Sequence, residues 1–148
     1  MSNVQEQEMK RCLRSYRILR REESRLRVRL ADLERRIRLP ALHRGKADRK
    51  SMEALAARHR QDLLDLIEET LRRCREIEEI IGRTEGAGED RTQLYRQILR
   101  LRYVDGLTFC EIADRLHYHE RHVRRLHREA LTAAIKGKGG EVHGEHME

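Results

Sequence analysis

The chain has 148 residues with a formal charge of +7, and 40% of them are charged while 3% are aromatic. This composition provides little material for a thick globular core and favours long helices with narrow apolar stripes. No run of about 18 apolar residues occurs, so we expect no transmembrane helix. The positive charge indicates a polyanionic partner such as nucleic acid.

A long amphipathic helix is predicted over residues 4–38. Its apolar positions follow alternating steps of three and four residues, as in a coiled-coil seam. The seam consists of Cys12, Tyr16, Leu19, Leu26, Leu30, Leu33 and Ile37, with Glu23 as its one charged member. The helix should end before Pro40, because the residue preceding a proline is disfavoured in the helical region. Residues 39–47 are therefore predicted to form a loop.

A second long helix should begin near Asp48 or Ser51 and end at Gly82. Its apolar stripe consists of Leu63, Leu64, Ile67, Leu71, Cys74, Ile77 and Ile81. Glycine at residue 82 and the sequence EGAGE at 85–89 then interrupt the helical pattern. Residues 82–89 are predicted to form a hinge.

Charge distinguishes the two long helices. Residues 10–38 carry a net charge of +8, whereas residues 51–89 carry −4. Opposite charges beside apolar stripes favour an antiparallel hairpin over residues 1–81, which would serve dimerisation or partner contact. A second chain could equally complete the stripes, and we expect a homodimer. The basic side of residues 10–38 is either a solvated face or a second contact with nucleic acid.

Residues 90–136 are predicted to form a smaller helical domain. Its first helix should begin with Asp90 as N-cap and end near Val104, where Asp-Gly at 105–106 turns the chain. Thr108 and Glu111 have the spacing of a capping box, in which each side chain satisfies a free backbone N–H at the helix start.

The last helix should open at His119 or Glu120, after a turn at residues 117–119. It should run to about Lys136, where the sequence GKGG is expected to stop it. Residues 137–148 are then predicted to be a disordered tail.

The last helix has two contrasting faces at about 100° per residue. Val123, Leu126 and Ala130 fall on one side. Arg121, Arg125 and Arg128 fall nearly opposite, with Arg124 beside them. A short helix, a turn and a helix with a basic outer face indicate a helix-turn-helix, whose arginines can donate two hydrogen bonds to guanine. A helical hairpin with a solvated arginine face has the same pattern.

Several short sequences within residues 98–131 resemble region 4 of bacterial sigma factors. They are LRY at 101–103, GLT at 106–108, EIA at 111–113 and AL at 130–131. The ending RLHREAL at 125–131 is similar to small phage and prophage transcriptional regulators of the RinA/ArpU type. This resemblance implies an all-α protein with a helical N-terminal part and a sigma region 4-like helix-turn-helix. It also implies a phage- or prophage-encoded regulator that binds double-stranded DNA and contacts host RNA polymerase.

The resemblance assigns DNA-facing positions on the last helix. They are Glu120, Arg121, His122, Arg124 and Arg125, and the helical wheel adds Arg128. We expect Arg121 and Arg125 at base edges, and Arg124 and Arg128 at phosphates. The base-contacting residues differ from those of sigma factors, so recognition of a sigma-type −35 element is not implied.

One position departs from the family pattern. His117 stands in the turn where the family usually has glycine. Either a residue with a side chain adopts a positive φ there, or the turn has a different shape.

Metal binding and catalysis are not expected. Four histidines lie near Cys110 in the sequence, but their HxHxxH spacing is not a common structural zinc pattern and no CxxC occurs. We find no glycine-rich phosphate loop and no nucleophile arrangement with supporting context, so we expect neither an enzyme nor a cofactor. Three widely spaced cysteines favour reduced thiols. The polar N-terminal residues do not resemble the apolar part of a signal peptide, so we expect a cytoplasmic protein.

Three functions remain open from the sequence. The first is a regulator that reads DNA on its own. The second is a sigma-like factor that acts only with RNA polymerase, although no counterpart of the sigma region that binds the −10 element is present. The third is a coiled-coil interaction module whose helix-turn-helix binds protein.

Overall fold

The computed structural model describes residues 3–38 and 46–146, and the regular structure within them is helical, with no strand. The elements are α1 (Asn3–Arg38), α2 (Lys46–Gly82), α3 (Glu89–Leu99), a π-helical turn (Arg100–Val104), α4 (Phe109–Leu116) and α5 (Glu120–His146). The predicted all-α class, with long N-terminal helices before a C-terminal helix-turn-helix, is confirmed. None of the described helices combines the length and the apolar character needed to span a bilayer.

The first loop prediction falls largely outside the described residues. α1 ends at Arg38, before Pro40 as predicted, but residues 39–45 are not described. α2 begins at Lys46, earlier than the predicted start near Asp48 or Ser51.

Packing divides the chain into two compact units. One consists of residues 19–74, and the other consists of residues 1–18 together with residues 75–148. The second unit therefore combines the start of α1 and the end of α2 with the C-terminal helices. The roles predicted for residues 1–81 and 90–136 are not defined by packing and stay predictions.

The unit of residues 19–74 is an antiparallel pair of helices. Leu26 of α1 packs with Leu63 and Ile67 of α2. Farther along, Arg60 Nε donates to Glu34 Oε1 at 3.2 Å. The hairpin thus closes within one chain.

The predicted seam of α1 is buried in its middle, from Tyr16 to Leu26, but its ends differ from the buried face. Leu13 is fully buried, whereas the predicted member Cys12 is partly exposed and Ile37 is 45% exposed. An α-helix has 3.6 residues per turn, so a strict heptad seam drifts around its surface and loses alignment with a fixed packing face. Glu23 remains buried, and Arg27 Nε donates to its carboxylate at 2.7 Å.

The segment predicted as a hinge, residues 82–89, contains several hydrogen bonds. Thr84 is fully buried and its hydroxyl donates to the Ile80 carbonyl at 2.9 Å. Arg96 Nε of α3 donates to the Thr84 carbonyl at 2.9 Å. The N–H of Gly86 donates to the Thr92 hydroxyl at 2.8 Å. The connection is thereby joined to α2 on one side and α3 on the other, while hinge movement stays a prediction.

The predicted N-cap at Asp90 is wrong. α3 begins at Glu89 and its N-cap is Gly88, which provides no side-chain hydrogen bond. Gln93 Nε2 donates to Glu89 Oε1 at 2.9 Å. The helix starts earlier because Gly88, at φ 91°, takes the turn conformation that precedes it.

The predicted end of the last helix is also wrong. α5 continues beyond Lys136 to His146, so residues 137–146 are helical rather than a disordered tail. A Cβ at Gly137 would lie 3.0 Å from the Arg83 carbonyl oxygen, so glycine there permits close approach between α5 and the end of α2. A helical glycine costs about 1 kcal/mol relative to alanine, far less than a proline.

Candidate nucleic-acid interface

The predicted capping box opens α4. Thr108 is the N-cap in an extended conformation, and the Glu111 N–H donates to its hydroxyl at 3.1 Å. The Thr108 N–H donates in return to Glu111 Oε1 at 3.0 Å. These two bonds lower the pKa of the Glu111 carboxyl below its ordinary value. They define where α4 begins and stabilise its charged capping residue.

The turn between α4 and α5 contains a strained backbone. His117 lies at φ 59° and ψ 42°, the left-handed conformation that usually belongs to glycine. Its N–H and that of Tyr118 both donate to the Ala113 carbonyl. Of the two alternatives for this turn, the first is correct, because His117 adopts a positive φ although it carries a side chain.

The π-helical turn shapes the other side of α4. In it the Asp105 N–H donates to the Arg100 carbonyl at 2.9 Å, one residue farther back than in an α-helix. Leu101 and Tyr103 are both buried, although side chains two residues apart point in different directions on an α-helix. Gly106 follows at φ 74° and begins the turn into α4.

The helix-turn-helix is held by a compact apolar cluster. Leu101, Ile112, Ala113 and Val123 form its buried centre, with Leu107, Phe109 and Leu116 packed against it. The predicted inner face of α5 is confirmed, since Val123, Leu126 and Ala130 are each 0% exposed. This packing sets α5 across α4 and turns the opposite side of α5 to solvent.

A polar pair lies within this apolar interior. The Tyr103 hydroxyl and His127 Nε2 are 2.7 Å apart, and both side chains are buried. The Phe109 ring meets the His127 ring edge-on at a centroid distance of 4.9 Å. The burial of His127 was not predicted from the sequence.

Burial is the main cause of the pKa shifts of Tyr103 and His127. It raises the pKa of Tyr103 to about 12. It also lowers the pKa of His127 from 6.5 to about 3, with further lowering by nearby cations of which Lys10 is the strongest, followed by Arg102 and Arg14. His127 is therefore neutral at physiological pH and contributes a hydrogen bond rather than a charge.

The solvent side of α5 carries the predicted arginines. Arg121, Arg124, Arg125 and Arg128 are all exposed. Within the described part of the chain, no hydrogen bond or ion pair engages the guanidinium groups of Arg121 and Arg128. These two groups are available to an external acceptor.

Arg124 is held within the protein. Its Nη2 lies 2.9 Å from Glu120 Oε1, and its guanidinium lies over the Phe109 ring at 4.7 Å from the centroid. Arg102 lies over the same ring at 4.3 Å. Phe109 thus connects a cation of the π-helical turn with one of α5.

Arg125 and His122 form a separate pair on α5. Arg125 Nη2 lies 2.7 Å from His122 Nδ1. The Tyr118 ring meets the His122 ring edge-on at 5.0 Å. The predicted residues Glu120, His122, Arg124 and Arg125 are therefore brought together at the start of α5, whereas Arg128 lies one turn farther along.

The start of α1 adds cations beside the helix-turn-helix, which the sequence had indicated only as part of the basic side of residues 10–38. Lys10 and Arg14 act electrostatically on His127, and the Arg17 guanidinium lies against Gly106. A Cβ at residue 106 would displace that guanidinium, which is the mobile end of an exposed side chain, so glycine is needed chiefly for its φ. The basic excess of residues 10–38 was the available signal.

The histidines near Cys110 do not gather into a metal-binding group. Among the described side chains, those of residues 3–38 and 48–139, no cluster of three or more histidine, cysteine or acidic groups could hold an ion. His127 is instead buried beside Tyr103, and His122 pairs with Arg125.

Comparison with known proteins identifies the C-terminal part. Residues 92–133 match the family described as sigma-70, region 4. Searches of curated proteins and of solved structures gave no match. The matched segment runs from α3 through the π-helical turn and α4 into α5, so it contains the capping box, the His117 turn and the arginine face. The chain thus carries a sigma region 4-like helix-turn-helix, a non-enzymatic, DNA-binding kind of domain.

Proposed function

We propose that the protein is a transcription regulator that binds duplex DNA by placing the start of α5 in the major groove. One observation carries this proposal: exposed guanidinium groups line the side of α5 opposite its fully buried face. Arginine at this place can donate two parallel hydrogen bonds to guanine. The family match at residues 92–133 supports the same function.

The contacts of each arginine favour different roles. Arg121 and Arg125 lie on the first turns of α5, which enter the groove in a helix-turn-helix, so we assign them to base edges. Glu120 and Phe109 fix the position of the Arg124 guanidinium, so we assign Arg124 to a phosphate rather than to a base edge. Arg128 lies farther along α5 and suits a phosphate as well.

We also propose that two copies act together. Met52, Leu55 and Leu66 lie on one side of α2 and are 47%, 60% and 51% exposed. Pairing of this apolar face would join two helix-turn-helix units on a two-fold site. Sedimentation equilibrium of the wild type and of Leu55→Glu tests this, and a wild-type monomer would contradict it.

The sigma resemblance supports a second function. A region 4-like unit could act only in contact with host RNA polymerase, because region 4 of sigma factors also binds the polymerase. The similarity of residues 125–131 to RinA/ArpU regulators favours a phage- or prophage-encoded regulator in the bacterial cytoplasm. The two functions differ in whether the isolated protein selects DNA sequences.

The deciding experiment is selection of fragmented host and phage DNA by the full-length protein at about 150 mM salt, where weak phosphate binding is suppressed. The control is the double variant Arg121→Ala/Arg125→Ala. Enrichment of a few sites by the wild type, lost in the control, establishes an autonomous sequence reader. Absence of enrichment contradicts that function, and retention of RNA polymerase by the immobilised protein would then support the second.

Salt dependence separates DNA binding from a protein-interaction role. Neutralisation of about five phosphates should give a slope of log affinity against log salt near −4 to −5. A protein that merely used its helix-turn-helix to hold another protein would show no such binding to duplex DNA.

A further inference from the structure

Cations from three separate elements meet beside the start of α4. Arg102 of the π-helical turn and Arg124 of α5 lie over the Phe109 ring, at 4.3 and 4.7 Å from its centroid. Arg14 of α1 lies near Tyr103 and His127, on which it acts electrostatically. Arg17 of α1 lies against Gly106, two residues before the N-cap of α4.

The acidic side chains in the same region leave part of this charge unbalanced. Glu6 pairs with Lys10 at 3.5 Å, and Glu120 pairs with Arg124 at 2.9 Å. Glu111 accepts the Thr108 N–H. Among the described residues, no carboxylate forms an ion pair with Arg14, Arg17 or Arg102.

Concentrating like charges without counter-ions costs free energy, unless an anion binds there. Arg102 is the most constrained of the three, since its Nη1 also donates to the Leu107 carbonyl at 3.0 Å. Arg14 and Arg17 are exposed on α1. Side chains three residues apart on a helix are neighbours about 5–6 Å apart, so these two can reach adjacent anionic groups.

The place of these arginines favours the phosphate backbone of a duplex over an acidic protein. In a helix-turn-helix the first helix crosses the DNA backbone while the second enters the groove. Gly106 leads directly into that first helix, α4. The Arg17 guanidinium, which lies against Gly106, is therefore on the side of the domain along which the DNA backbone would run. A duplex presents its phosphates there at regular intervals.

We infer that the start of α1 is a second DNA-binding surface, on which Arg14 and Arg17, beside Arg102, bind phosphates flanking the sequence read by α5. This inference rests on the proposed function. It extends the DNA interface beyond the residues that resemble sigma region 4, which begin at residue 92, to two arginines near the start of α1.

The test is a salt titration of duplex binding by full-length Arg14→Gln/Arg17→Gln. Loss of about two phosphate contacts should reduce the log–log salt slope by about 2 and weaken binding equally on preferred and unrelated sequences. The matched control is Arg21→Gln/Arg29→Gln, which removes two exposed arginines from the same helix within the unit of residues 19–74. The control should keep the wild-type slope.

A conservative variant and the wild type separate the remaining outcomes. Arg14→Lys/Arg17→Lys retains both charges and should retain most of the slope, which a purely structural role of arginine would not predict. A wild-type slope in Arg14→Gln/Arg17→Gln would overturn the inference while leaving the proposed function intact. Loss confined to the preferred sequence would also overturn it, because phosphate contacts are independent of sequence. No duplex binding by the wild type would overturn the proposed function, and this inference with it.

Discussion

The hydroxyl of Tyr103 and Nε2 of His127 lie 2.7 Å apart inside the C-terminal helices, although 24 residues separate them in the chain. The pair joins the π-helical turn to α5. A hydrogen bond between two buried groups avoids the cost of leaving either without a partner. The pair therefore helps to hold α5 against the rest of the domain.

Protonation of His127 should make the domain less stable in mild acid. The pKa of His127 is about 3 in the folded protein against an ordinary value of 6.5. Between those values the unfolded chain binds more protons than the folded one, so the free energy of unfolding decreases as the pH falls. The loss begins near pH 6.5, continues towards pH 3, and approaches about 1.4 kcal/mol per pH unit.

Urea unfolding of the wild type and of His127→Gln across this pH range measures the effect. Glutamine keeps a hydrogen-bonding group but has no proton to gain, so the variant should lack this part of the slope. Carboxylates titrate in both proteins and cancel in the difference. A difference in unfolding free energy that stays constant with pH would contradict the assignment.

Gly106→Ala should be destabilising chiefly because of the backbone conformation at this position. The substitution places a Cβ at φ 74°, whereas the Arg17 guanidinium that this Cβ would meet can move aside. We expect a loss of about 1–3 kcal/mol in the free energy of unfolding. Adding Arg17→Ala should therefore recover little of this loss, as a double-mutant cycle would show. Gly82→Ala, where a Cβ would meet nothing within 4 Å, is the control and should cost little.

His117→Gly should stabilise the protein. Glycine adopts φ 59° without the steric cost that a Cβ imposes, and the expected gain is about 1 kcal/mol in thermal or urea unfolding. His117→Ala keeps the Cβ and should give no such gain. Equal stabilisation by both substitutions would show that the imidazole, rather than the backbone, carries the strain.

Arg125→Ala should reduce sequence preference as well as affinity. We expect a cost of about 1–3 kcal/mol on the preferred site and weaker discrimination at one base pair. Arg128→Ala should instead weaken binding to every duplex to a similar extent. Competition titrations with matched and mismatched duplexes measure both, and uniform loss in Arg125→Ala would reassign that residue to a phosphate.

Patterns between residues close together in the sequence predicted the helices that form the candidate site. The Thr108–Glu111 spacing gave the start of α4, because a capping box depends on residues three apart. The helical period gave the buried face of α5 through Val123, Leu126 and Ala130. The arginine face follows from the same period.

Contacts between distant residues could not be predicted in this way. His127 is a polar residue between apolar positions, and its burial depends on Tyr103 from the π-helical turn. Arg17 reaches the site because α1 packs in the same compact unit as Gly106. The heptad pattern placed Cys12 rather than Leu13 in the seam, because a pattern along one helix does not show which face of that helix packs against a neighbouring helix.

The unit that holds the helix-turn-helix is made from two segments far apart in the sequence, residues 1–18 and residues 75–148. During synthesis its first part leaves the ribosome long before its second part exists. Closing so large a loop is slow, because contacts between distant segments form only after a long chain has been ordered. The helix-turn-helix should therefore mature last, after the hairpin of residues 19–74, and shortened nascent chains should lack it.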